Sequence, residues 1–239
     1  MQDLTDKVVA ITGATAGIGA ASARALAAEG AEVVLGARRE ERLQELAEEL
    51  GDQVAVVTMD VRDPAGAEEL VATAVDRFGR LDALVANAGI GAYGGIMDLT
   101  DEQLRVMMDT NIAGTVWPIR AAVPRLLAAG GGDIVIVASV AGLRGGGDEA
   151  VDAATTVAQV GLAGGLDREL REQNIRVSTL CPGGVATEFA MGAGRTPEMP
   201  GLADMLRAED VAAAVVTVLR QPPSMRTLIW SMRSIHEAD

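Results

Sequence analysis

The chain has 239 residues, 49% of them apolar, which suits one α/β domain with a substantial core. No run of eighteen apolar residues is available to cross a membrane, and a formal net charge of −14 argues against nucleic acid or an anionic membrane surface as partner. The single cysteine, Cys181, permits no internal disulfide, and MQDLTDK at the N-terminus lacks the basic and apolar regions of a signal peptide, so the cytoplasm is the expected compartment.

Residues 8–19, VVAITGATAGIG, set the pattern for the fold. Val8, Val9, Ala10 and Ile11 form an apolar, β-prone run that meets Gly13, Gly17 and Gly19, and an alanine-rich amphipathic stretch over 20–28 ends at Gly30. The pattern predicts strand, tight turn, helix. Glycines here let the backbone turn sharply and approach a bulky anion, with helix N–H groups facing a dinucleotide pyrophosphate. A second strand is expected over 31–37, then a helix over 38–50 with Leu43, Leu46 and Leu50. A third strand covers 53–61, and Asp63 caps a helix over 63–79 that opens on Pro64 and stops at Gly79. The fourth strand is read over 81–89, a long helical region over 101–129, and the fifth strand over 133–142. Helix over 149–173 and a sixth strand over 175–184 come next. A variable stretch, 185–206, carries Phe189, Met191, Pro197, Met199 and Pro200 and is read as the substrate-loop region. A helix over 208–220 and a strand over 226–232 complete the chain. Strands apolar on both faces, alternating with helices, predict a single domain over 1–239 with a doubly wound, Rossmann-type parallel sheet covered on both sides. Residues 145–147 and 192–206 are the expected mobile loops.

The spacing G-x-x-x-G-x-G over Gly13, Gly17 and Gly19, behind Thr12 and enclosing Thr15 and Ile18, resembles the cofactor fingerprint of the short-chain dehydrogenase/reductase family. The likeness runs over almost the whole chain. It implies that Asp60 and Val61 hold the adenine, and that Asn87-Ala88-Gly89 supports the sheet and approaches the adenosine ribose. It further implies that Pro182-Gly183, Val185 and Thr187 position the nicotinamide. The second strand ends in Gly36-Ala37-Arg38-Arg39, with no carboxylate before Glu40. An acidic residue there suits NAD and a basic one the 2′-phosphate of NADP, so Arg38, with Arg39 beside it, points to NADP(H). The same likeness implies a small-molecule substrate and a homo-oligomer, a dimer or tetramer, built by helices 101–129 and 149–173.

Members of that family place an Asn on the long fourth helix, a Ser after the fifth strand, and a Tyr and a Lys four residues apart on the next helix. Asn111 in MMDTNIAGT and Ser139 in IVIVASVAG match the first two. Thirteen residues beyond Ser139 stands Asp152, and four further Thr156, in VDAATTVAQVGL where the family reads V-Y-x-A-[ST]-K. No shift of register restores the pair, because Tyr93 is the only tyrosine and Lys7 the only lysine. Spacing i, i+4 puts Asp152 and Thr156 on one helix face, so Thr156 is expected to keep a ribose hydrogen bond and Asp152 to stand beside the reacting atom.

To protonate a ketone at pH 7, Asp152 would need its pKa raised by roughly three units from about 3.9, or about 4 kcal/mol. An iminium is already cationic, and an ionised carboxylate attracts and orients it without donating a proton. Reduction of an apolar, cyclic imine by NADPH is therefore the expected reaction. Tyr93, in GIGAYGG, is either a substitute phenol or a cleft-lining aromatic. Other classes stay open: a dinucleotide-binding sensor, partner subunit or inactive relative without redox turnover, a ketoreductase, or a lyase or isomerase with Asp152 as base. Asp148 and Glu149 read as a solvated acidic cluster, and no His or Cys cluster supports a metal.

Overall fold

The computed structural model describes residues 1–237. Seven strands form one parallel sheet: β1 (Val8–Thr12), β2 (Glu32–Ala37), β3 (Val54–Thr58), β4 (Ala83–Ala86), β5 (Gly132–Val137), β6 (Ile175–Pro182) and β7 (Ile229–Met232), in the order β3-β2-β1-β4-β5-β6-β7. Along β1 the side chains alternate between two apolar clusters, and both are buried. Val9 and Ile11 join Leu26, Leu35, Leu43 and Val215 on one face, while Val8 and Ala10 join Leu70, Leu84, Leu126 and Ile134 on the other. The first cluster is closed by helices α1 (Gly17–Ala28), α2 (Glu40–Leu50) and, last in the chain, α7 (Ala208–Leu219). The second is closed by α3 (Pro64–Phe78), α5 (Gly114–Ala128) and α6 (Ala150–Leu170), with α4 (Asp101–Met108) running into α5. Strand order reverses at β1, with β2 on one side and β4 on the other, and such a switch point opens a crevice at the carboxyl ends of the strands.

The predicted doubly wound architecture holds, but several strands are shorter than the apolar runs suggest. β3, β4 and β5 end at Thr58, Ala86 and Val137, before Asp60, Asn87 and Ser139. At β4 the reason is visible: the Asn87 and Ala88 N–H groups donate to Thr12 Oγ1, both at 3.1 Å, so the chain leaves the ladder for a side-chain partner. The region 101–129 is not one regular helix. A five-residue π-turn, Asp109–Ala113, separates α4 from α5, a distortion that recurs where a helix must re-aim a functional group. Pro118 and Pro124 are both accommodated inside α5.

The stretch 192–206 is tied down at both ends. Tyr93 N–H donates to Ala193 O at 2.9 Å, and Leu206 pairs with Val185 in a short parallel bridge. No helix among the described residues is long and apolar enough to cross a membrane.

Candidate active site

A cleft of about 510 Å³ runs along the carboxyl ends of the strands. Every residue expected to serve catalysis or cofactor contact lines it except Gly19, which packs beneath the turn. Gly13 (φ +68°) and Gly17 (φ +51°) adopt backbone conformations that other residues rarely take. A Cβ on Gly13 would lie 2.8 Å from Ala88 Cα, and one on Gly17 3.0 Å from Thr187 Cγ2, so the turn is pressed against both neighbouring segments. α1 begins at Gly17 with no side-chain cap, which leaves the first N–H groups of the helix available to an anion in the cleft.

The two arginines after β2 differ. Arg39 donates to Thr15 Oγ1 at 3.1 Å and pairs with Glu188 at 2.8 Å, a carboxylate that Arg42 also holds. Arg38 is exposed and makes no hydrogen bond or ion pair with the described residues, so its guanidinium is the one available for a phosphate. Asp60 is held by Arg62 at 2.6 Å, and this bond keeps its carboxyl below the usual carboxylate range. An uncapped helix terminus, a glycine cradle and an unpaired arginine beyond β2 together fit a 2′-phosphorylated dinucleotide. Among the described residues no cluster of His, Cys, Asp and Glu could hold a metal ion.

At the reacting end, the π-turn presents Asn111 to two elements at once. Its side-chain Oδ1 accepts from Ile90 N–H and its Nδ2 donates to Ile90 O, each at 2.9 Å, so the amide clamps the loop after β4. Nδ2 also donates to Thr155 Oγ1 at 3.0 Å, tying the loop to α6. Asn111 is thereby a positioning group, with its side chain spent on protein partners. Ser139 caps a one-turn 3₁₀ helix, Val140–Gly142, by accepting from Ala141 N–H at 3.1 Å, while its hydroxyl hydrogen has no acceptor among the described residues.

α6 sends one polar face into the cleft. Asp152 is 5% exposed, and its Oδ1 has no hydrogen-bond donor among the described residues. Burial, reinforced by the Glu149 charge and opposed by Arg195, raises its pKa from 3.8 to about 6. Glu149 thus acts on the site electrostatically and is half-buried rather than fully solvated. Thr156 shares the face as expected, but its hydroxyl donates within the helix, to Ala153 O at 3.0 Å and towards Asp152 O at 3.3 Å. Its oxygen remains an acceptor only.

Two cleft residues carry no motif in the sequence. Gln159, one turn beyond Thr156, donates from Nε2 to Asn111 O at 3.0 Å and to Thr115 Oγ1 at 2.9 Å. Its spacing of seven from Asp152 places it on the same helix face and is a readable signal. Arg195 has no such signal. It donates to Val185 O at 3.0 Å and to Tyr93 Oη at 3.3 Å, and its guanidinium lies 5.5 Å from the Tyr93 ring centroid and 5.8 Å from that of Phe189. Tyr93 therefore lines the cleft as an aromatic, and burial pushes its phenol pKa up, away from acid catalysis.

Residues 7–198 match the short chain dehydrogenase family. An uncharacterized oxidoreductase of Staphylococcus epidermidis is 35% identical over 222 residues, 93% of this chain and 94% of that protein. Among solved structures, the alcohol dehydrogenase of the archaeon Thermococcus sibiricus complexed with 5-hydroxy-NADP superposes with a TM-score of 0.89 at 31% identity, over 98% of each chain. The closed form of a serine dehydrogenase complexed with NADP+ gives a TM-score of 0.92 at 31% identity, over 97% of this chain and 96% of that one.

Proposed function

The chain belongs to the short-chain dehydrogenase family, and on that premise we propose that it reduces a C=N bond with NADPH, Asp152 serving as anionic partner of the substrate nitrogen. It is an oxidoreductase of that family. NADP(H) is its cofactor, supported by the unpaired Arg38 and by two structural neighbours that carry NADP forms. Gly13, Gly17 and the α1 terminus would hold the pyrophosphate, Arg38 the 2′-phosphate, and Val185 and Thr187 the nicotinamide side. When bound, NADPH supplies the hydride.

One observation carries the reading: a carboxylate in the cleft wall, buried, without a donor on Oδ1, and with a pKa of about 6. At pH 7 such a group is roughly nine-tenths ionised. It holds an iminium by charge, and the π pair of C=N moves to nitrogen as the new C–H bond forms, so the step needs no proton from the chain. A ketone would need that proton, and neither a mostly ionised Asp152 nor a phenol with a raised pKa supplies it well. Ser139 offers its free hydroxyl hydrogen to the substrate, and Ile90, Phe189 and Met191 supply an apolar wall for a ring. A cytoplasmic location and a homo-oligomer, dimer or tetramer, belong to the same reading.

The test is NADPH consumption at neutral pH with a cyclic imine and its matching ketone offered separately. Turnover of the imine alone is expected. Ketone turnover of equal rate would require a proton donor and overturn the assignment of Asp152. NADPH binding without consumption on either would favour a non-redox protein.

A further inference from the structure

Arg195 is a buried cation in the cleft wall that makes no ion pair among the described residues. It is 8% exposed, and among the described residues its guanidinium donates only to a carbonyl, Val185 O, and a phenol, Tyr93 Oη. The contrast with Arg176 is instructive. That arginine, 9% exposed, meets the Asp133 carboxylate with two parallel bonds at 2.7 and 2.9 Å as well as three backbone carbonyls. Burying a guanidinium is favourable only when its charge is answered, and Arg176 is answered by direct contact while Arg195 senses Asp152 only through space, with no ion pair among the described residues. Asp152 is the converse, a buried carboxylate with an oxygen that no donor among the described residues reaches. The two line the same cleft without pairing to each other.

We propose that Asp152 and Arg195 together receive a zwitterion, the carboxylate facing an iminium nitrogen and the guanidinium taking a carboxylate on the same molecule, so that the substrate is a cyclic imino acid. The proposal rests on the C=N reading for its Asp152 half, whereas the Arg195 half stands on its own geometry. A guanidinium has five N–H donors in a fork that matches a carboxylate, and the protein uses few of them here. Tyr93 and Phe189, with ring centroids 5.5 and 5.8 Å from the guanidinium carbon, lie within cation–π range and line the same cleft. An iminium without a carboxylate would face Asp152 alone and leave Arg195 without a contact anion. An imino acid answers both and adds no net charge to the cleft.

Calorimetric titration of the NADP+-loaded protein with non-reacting saturated ligands tests this. The probes are a five-membered cyclic amine, its 2-carboxylate, and the methyl ester of that acid. The acid is expected to bind about tenfold or more tightly than the amine or the ester, the ester keeping the shape without the charge. Arg195→Met is expected to bring the ratio close to one, and Arg195→Lys to retain part of it. Equal affinity for all three ligands in the parent protein overturns the proposal, as does a ratio that survives Arg195→Met. Should Arg195→Met fail to fold, the acid-to-ester ratio in the parent decides alone. Preference for the acid without NADPH consumption on the cyclic imine or on its 2-carboxylate leaves Arg195 assigned and overturns imine reduction. Consumption of the plain imine without preference for the acid overturns the Arg195 assignment and leaves the reaction standing.

Discussion

Burying Asp152 without a donor on Oδ1 makes its ionisation expensive, and the cost depends on pH in a defined direction. The unfolded chain ionises this group near 3.8, the folded chain near about 6. Between those values the folded state binds more protons, so stability falls as pH rises through the window and levels off above it. A shift of this size corresponds to about 3 kcal/mol at neutral pH. Asp152→Asn keeps the shape and removes the charge. Urea denaturation at pH 7.5 is therefore expected to show the variant more stable than the parent by up to about 3 kcal/mol, with the gain shrinking towards pH 4. Imine turnover is expected to fall at the same time, because a neutral amide cannot balance an iminium. Gain of stability with loss of activity is what a strained functional group predicts. A variant with full turnover, or a stability change that ignores pH, would show that Asp152 is only a packed polar residue.

α1 and the turn before it illustrate how a helix can be held close by a missing side chain. Gly19 lies inside the helix, where alanine is ordinarily better by about 1 kcal/mol. Here a Cβ would overlap Gly13 O and come within 2.6 Å of Asn87 Nδ2, a group that donates to Thr12 O at 3.0 Å. Gly19→Ala is expected to destabilise by about 1–3 kcal/mol and to weaken NADPH binding, read by a denaturant melt and a fluorescence titration. A more stable variant would mean that the turn relaxes freely.

The same stretch shows what the amino-acid order makes legible. Apolar runs buried on both faces, with glycines after the first, suffice for the sheet class, and residues at the strand ends identify the cofactor side of the cleft. The π-turn is not legible, since MMDTNIAGT has the periodicity of an unbroken helix and the extra residue in the turn is set by Asn111 bonding to Ile90, 21 positions away. Arg195 is hidden for a related reason. Its loop has no period, and its partner Tyr93 is 102 residues distant in the chain.

Taken as a whole, the molecule carries a charge of −14, so copies of it repel one another wherever charged faces meet. An uncharged face is where association would meet least of that repulsion. α6 offers one: Ala154, Val157, Gly161 and Gly165 are exposed at helical spacing, Val157 by 53%, and a Cβ on Gly161 or Gly165 would meet nothing within 4 Å. On the neighbouring helical region Ile112 and Leu127 are 36% and 43% exposed. Small residues let two helices approach closely, and the flanking apolar groups then lose water. Sedimentation velocity is expected to show two or four times the 24.6 kDa of one chain. Added salt should tighten the assembly, because screening weakens the repulsion between chains while leaving apolar burial in place. Gly161→Arg separates folding from association. Within one subunit its side chain has open space and a helix-favouring backbone, so far-ultraviolet circular dichroism should be preserved. Against a second copy the same side chain meets a close helix and adds a charge that burial penalises, so the variant should sediment as a monomer. Assembly that survives Gly161→Arg would exclude this face of α6 as the interface, and a monomeric parent would exclude the homo-oligomer itself.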